Sequence, residues 1–229
     1  MSKYIRNFIS WLFGMLIVFL ISSIGITVLY RFVNPPVSPL MIIRMIEQKS
    51  DGKEMKLVHD WRSIDQISSS MILAVITAED QNFEDHYGFD LKAIEKAMQH
   101  NKRGKRIKGA STISQQTAKN VFLWPSRSWI RKGLEVYFTF LIEIFWSKER
   151  IMEVYLNIIE MGPGIYGIEA ASNYYFKKPA IKLSNQQAAT IAAILPNPIR
   201  WSASKPSPYI IKKRNWIVRH MRYIDRPNL

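Results

Sequence analysis

The 229-residue chain has no cysteine, so no disulfide framework holds it together. That absence fits an exported protein that avoids stray disulfides, and it fits many cytosolic proteins equally well. Several cofactor signatures are also missing. There is no Gly-x-Gly-x-x-Gly, no P-loop, no Asp-x-Asp to hold a metal–nucleotide sugar and no His-Glu-x-x-His. His59, His86, His100 and His220 are too scattered to suggest zinc. Ser50-Asp51-Gly52-Lys53 and Ser202-Ala203-Ser204-Lys205 match Ser-x-x-Lys, but no Lys-Thr-Gly accompanies them and both fall in expected loops. Acid is scarce as well: 18 Asp and Glu face 32 Lys and Arg, a formal net charge of +14. Such an excess calls for an anionic partner.

The first long feature present is an uncharged run from Asn7 to Tyr30, rich in Ile, Leu, Phe and Val. It matches the roughly 20 residues that cross a bilayer's hydrocarbon, and exceeds the about 7–15 of a signal-peptide core. No clear small-x-small cleavage site follows before Arg31, so residues 8–30 are expected to be a retained anchor. Lys3 and Arg6 precede the span and Arg31 alone follows it closely, which favours residues 1–7 in the cytoplasm and an exported body. The basic run from Asn101 to Lys108 would suit nucleic acid, or be a solvated loop. Beside an anchor, anionic headgroups and a pyrophosphate are the expected partners and nucleic acid is not.

Asn34-Pro35-Pro36-Val37-Ser38-Pro39 reads as a stiff linker, and Leu40 to Ile46 as a membrane-proximal segment touching both bilayer and core. Residues 31–54 are thus a connecting region, and 55–229 one mainly α domain. Capping boxes are expected at Ser63/Gln66, Thr112/Gln115 and Ser184/Gln187. Helices are expected over Met71–Asp80, from Asp90 through Met98, and over Ile113–Leu123, Trp129–Trp146, Lys148–Ile158, Ile165–Phe176 and Ser184–Leu195. A basic helix opens at Ser207-Pro208. Trp129–Trp146 is apolar nearly all round, which predicts a central core helix.

Three segments carry chemistry. Glu79 and Asp80 are adjacent acids at a helix end, ahead of Phe83 and His86; one can face a substrate while the other anchors the turn. Glu79 is the candidate general base for a sugar hydroxyl. The bland alternative is a surface acidic helix end. Gln115, Gln116 and Lys119 share a helical face, and Ser111 and Thr112 bring hydroxyls and free N–H groups to its start, a favourable place for a phosphate oxygen. A capped amphipathic helix with a solvated lysine would look the same. Arg131 and Glu135 are an i, i+4 pair with Arg127 and Lys132 nearby. They are either a structural ion pair or a diphosphate site, with Glu135 positioning an arginine or a bound metal. Glu143, deeper in that helix, reads as a satisfied core acid.

Together these segments resemble the peptidoglycan glycosyltransferases of family 51, the monofunctional biosynthetic transglycosylases in particular, from about Met55 to Tyr223. The family's Glu-Asp-x-x-Phe-x-x-His-x-Gly-x-Asp is complete from Glu79 to Asp90. Its Gly-Gly-Ser-Thr-Ile-x-Gln-Gln-x-x-Lys-Asn runs from Gly109 to Asn120 with Ala110 at the second glycine. Arg-Lys-x-x-Glu falls on Arg131, Lys132 and Glu135, and Ile-x-x-x-Tyr-Leu-Asn runs from Ile151 to Asn157. The resemblance implies a lysozyme-like, two-lobed helical fold in the bacterial inner membrane. It also implies polymerisation of β-1,4 glycan from lipid II, with inversion and release of undecaprenyl diphosphate. On matching positions, Glu79 is the base, Glu135 assists on the leaving-group side, and Lys119, Arg127 and Arg131 stabilise the diphosphate. Asp80, Ser111, Thr112, Gln115 and Gln116 are expected to line the substrate site. No cofactor is required, although a divalent cation could sit at the pyrophosphate. The implied partners are lipid II, the lipid-linked glycan chain, the membrane and other cell-wall synthesis proteins. Two rivals stand beside it: an anchored lysozyme-like hydrolase or lytic transglycosylase, and a non-catalytic wall-binding scaffold.

Overall fold

A computed structural model describes residues 3–52, 54–102, 104, 109–126 and 128–224. The apolar run builds a first helix, α1 (Lys3–Phe32), longer at both ends than the expected span. Its 30 residues reach about 45 Å, where a hydrocarbon core of about 30 Å needs some 20. The surplus turns are not free. Ser23 Oγ and Tyr137 Oη lie 2.7 Å apart, and Trp146 Nε1 donates to Thr27 O at 2.8 Å. The Arg150 guanidinium donates to the carbonyls of Tyr30 and Val33 and to Asn34 Oδ1, closing the open C-terminal end of the helix.

After the prolines, Ser38 caps α2 (Pro39–Ser50), which buries Met41 and leaves Ile42 and Ile46 exposed. One face is thus in the core and the other outward, as the mixed composition of this segment predicts. The body follows as α3 (Ser69–Glu79), α4 (Leu91–Lys102), α5 (Ile113–Phe122), α6 (Trp129–Phe145) and α7 (Lys148–Ile158), then α8 (Ile168–Phe176), α9 (Asn185–Ile194) and α10 (Pro208–His220). Thr112 and Ser184 make the expected capping boxes, and Ser147 caps α7. Ser63 does not: it precedes a single 3₁₀ turn and makes no side-chain cap bond.

Three short strands were not foreseen. β1 (Val58–His59) pairs in parallel with β3 (Ile165–Tyr166), which pairs antiparallel with β2 (Glu160–Gly162). The helix expected from Ile165 therefore begins only at Ile168. Gly167, at φ +79°, separates strand from helix, and a Cβ there would lie 2.5 Å from Asn157 O.

The core is one cluster in which α3, α5, α7, α8 and α9 contribute most of the fully buried side chains. α6 corrects the expectation of central burial. Phe138, Leu141 and Ile142 face inward, but Trp129, Ile130, Val136, Phe140 and Ile144 are exposed. Its all-round apolarity reflects a core-facing side, the contact of Tyr137 with α1, and an apolar row that is left exposed.

Candidate active site

The segment after α3 is built to hold one acid still and leave the other available. Asp80 ends the helix, and its carboxylate accepts from His86 Nε2 at 2.9 and 3.1 Å and from the Ile113 backbone N–H at 3.0 Å. That ties the acidic turn to the N-terminus of α5, where a carboxylate is favoured. Asp80 was expected among the substrate-binding residues. Its side chain is 2% exposed and committed to these partners, so it takes the anchoring role of the two. Phe83 is fully buried; Lys148 Nζ lies 4.7 Å over its ring and donates to His86 O at 2.6 Å. Gly88 adopts φ +82°, and a Cβ there would meet Thr139 Cγ2 at 2.7 Å. Its carbonyl accepts from Thr112 Oγ1 at 2.7 Å.

Glu79 is the freer acid. Gln116 Nε2 donates to its Oε2 at 2.9 Å, and no described residue hydrogen-bonds Oε1. Burial pushes the Glu79 carboxyl above the usual carboxylate range. The Gln116 hydrogen bond and the Lys213 ammonium pull it back, Asp80 adds to the rise and Lys119 opposes it. Tyr155, buried in α7, has its hydroxyl 3.5 Å from Gln116 Oε1, which orients the amide with its nitrogen toward Glu79.

Opposite this acid stand the cations. Glu135 is buried in α6 at 3% exposure, and receives Arg131 Nη1 at 2.6 Å and Lys132 Nζ at 2.5 Å. This is not a surface pair, and Arg131 Nε is buried without a hydrogen-bond partner. Lys119 makes no hydrogen bond or ion pair among the described residues. Burial depresses its pKa; Glu135 raises it, Arg131 and Lys132 lower it, and Glu79 raises it. The lysine therefore feels both the Glu135 cluster and Glu79.

Of the remaining expected residues, Gln116 faces Glu79 and Ser111 is exposed ahead of α5. Thr112 and Gln115 are corrections: both are buried, and their polar atoms close the α5 capping box and bond Gly88. They shape the turn rather than project from it. Arg127 lies outside the described residues. Glu143 is the satisfied core acid expected, bound by Ser114 and by Lys148 at 2.8 Å. Lys213 escaped the sequence reading, and Tyr155 entered it only as part of a motif, with no role. The phase of Lys213 with Ile210 and Ile217 could have marked it as inward-facing. Among the described residues no cluster of three or more His, Asp or Glu could hold a metal, and both Glu135 oxygens are taken by cations. These side chains do not form a cation site, and no step below runs through one.

A desolvated carboxylate with cations in its field, in a mainly helical domain behind an apolar helix, suits an acid–base enzyme acting on a substrate with an anionic group. The comparisons name the group more closely. The transglycosylase family profile matches residues 47–222, and the chain belongs to that family. A biosynthetic peptidoglycan transglycosylase of Bacteroides thetaiotaomicron is 54% identical over 224 residues, covering 98% of this chain and 88% of its own. Proteins of the same name from Bdellovibrio bacteriovorus and Pseudomonas aeruginosa are 54% and 48% identical, covering 91% and 95% of this chain and 83% and 94% of their own.

Proposed function

We propose that this protein is a peptidoglycan glycosyltransferase that polymerises glycan from lipid II while anchored by α1. The observation that carries the reading is Glu79, desolvated and with no described residue hydrogen-bonded to Oε1, within the field of Lys119, which in turn feels Glu135, Arg131 and Lys132. Glu79 takes the proton of the acceptor's GlcNAc 4-hydroxyl as that oxygen attacks MurNAc C1. The new C1–O bond forms on the face opposite the breaking C1–O(phosphate) bond, so configuration inverts and undecaprenyl diphosphate leaves with the electron pair. Lys119 and Arg131, with Arg127, neutralise the charge that grows on the diphosphate, and Glu135 holds Arg131 and Lys132 in place. Ser111 and Gln116 border the donor.

A hydrolase or lytic enzyme would also use a carboxylic acid but has no need of buried cations facing it. A scaffold would have no need of a desolvated acid. The positive charges at Lys3 and Arg6 support a cytoplasmic N-terminus, with the domain on the outer face of the inner membrane beside other cell-wall synthesis proteins. Incubation of the detergent-purified full chain with labelled lipid II tests the reading. Growth of glycan strands supports it, and cleavage of finished glycan without growth would replace it with the hydrolase. A reporter fused after Leu229 should report the periplasm.

A further inference from the structure

The general base has a second cation near it, on a segment outside all the motifs described so far. Lys213 lies on α10, one turn from Ile210 and one from Ile217, both buried, so it shares their inward face. α10 packs against α9 and against α3, whose last residue is Glu79. Lys213 is half-buried, and no described residue forms a hydrogen bond or ion pair with it.

We propose that Lys213 is a positioning residue for the reaction: from the inward face of α10 it favours the charged form of the Glu79 carboxylate without touching it. This rests on the glycosyltransferase reading and goes beyond it. A contact salt bridge would occupy the lone pairs that must accept the substrate proton. A lysine beyond ion-pair distance favours the charged form through its field and leaves Oε1 open. The electrostatics agree in both directions. Lys213 is the largest charge effect on Glu79, ahead of Asp80 and Lys119, and Glu79 is the one charge that raises Lys213 against the lowering by burial.

The other groups facing Glu79 do not replace this effect. Asp80 repels its charge and is held by His86. Lys119 comes from α5 and belongs to the leaving-group side. Tyr155 from α7 is neutral, because burial raises its phenol far above the ordinary value. α9 contributes no titratable side chain, and Arg222, on the 3₁₀ turn Met221–Tyr223 that also packs on α3, is exposed. The division of labour is spatial: one set of cations serves the departing diphosphate, and one lysine on the far helix serves the base.

The test uses the full-length protein in detergent. Initial rates of lipid II polymerisation are followed across roughly pH 5 to 9 for wild type, Lys213→Met and Lys213→Arg. Lys213→Met should lose about tenfold at neutral pH and recover as pH rises, because only the ionised fraction of the base has changed. The ascending limb should move to alkaline pH, and Lys213→Arg should restore it. Carbon-13 carboxyl titration of Glu79, assigned by its loss in Glu79→Gln, reads the same effect without substrate. Glu79 should titrate at higher pH in Lys213→Met. An unmoved titration in a folded Lys213→Met protein would overturn the proposal. Should the methionine variant fail to fold, Lys213→Gln carries the same two readouts. If wild type makes no glycan, the functional reading fails, and the carboxyl titration still decides the role of Lys213.

Discussion

Gln116 reaches from α5 to Glu79 with a 2.9 Å hydrogen bond, and so joins two segments 37 positions apart in one working unit. One oxygen of the acid is fixed by this amide, and the other is left for chemistry. The arrangement separates what Glu79 does for turnover from what it costs the fold.

Glu79→Gln should therefore abolish polymerisation, by about 10²–10⁴-fold for loss of a general base. The same change should stabilise the protein at neutral and alkaline pH. Burial raises the folded-state pKa of Glu79 above its unfolded value, so the unfolded chain gives up its proton first as pH rises. Wild-type stability from this group is intact below the unfolded pKa and is lost as pH climbs through the folded one. Melting curves of the two proteins should converge in acid and diverge toward alkaline pH. A glutamine variant that melts earlier at every pH would contradict the desolvation described for this acid.

Glu135 and Lys119 should separate in the opposite sense. Glu135→Gln breaks a buried pair with Arg131, which typically costs about 3–5 kcal/mol of stability, and should slow glycan synthesis by orders of magnitude. Lys119→Met removes a desolvated cation with no hydrogen-bond or ion-pair partner among the described residues. Its stability should hold or rise, while turnover falls by about 10²–10³-fold. Equal effects of the two substitutions on melting would show that Lys119 is structural.

At Gly88 the prediction concerns backbone. Alanine there is strained at φ +82° and drives a methyl group into Thr139, so Gly88→Ala should cost about 1–3 kcal/mol. Urea denaturation measures it. Activity per folded molecule should fall too, since the Gly88 carbonyl holds Thr112 and with it the start of α5.

Arg150→Met should free the end of the anchor. Hydrogen exchange at residues 28–34 should accelerate, with about 1.5–3 kcal/mol lost for removing charged hydrogen bonds. Unchanged exchange there would mean that the seam with Tyr137 and Trp146 is sufficient without the guanidinium.

Much of this was legible because local chemistry decided it. Ser147 and Thr112 start helices by accepting N–H bonds within three residues, and a reader sees both ends of those bonds in the sequence. The strands were not legible, because two or three residues are too few to show alternation and their partners lie far away in the chain. Burial decided the fate of Asp80, Thr112 and Gln115. Their motif marks them as part of the site, yet only packing reveals that their polar atoms point into the turn. α6 misled through composition, since its outer row of Val136, Phe140 and Ile144 is as apolar as its core face and yet exposed. Lys213 was hidden among Lys212 and Arg214, where charge alone gives no hint of direction.

The seam between α1 and α6 removes a freedom that tethered enzymes ordinarily keep. Ser23 meets Tyr137 and Thr27 meets Trp146, so the two helices run alongside each other in the same direction, and the far end of α6 carries Arg131 and Glu135. Arg131 and Glu135 are thus held at a fixed place along the anchor, on the side of Tyr137 away from Trp146. The domain cannot tilt against this helix without breaking the Ser23–Tyr137 and Thr27–Trp146 contacts.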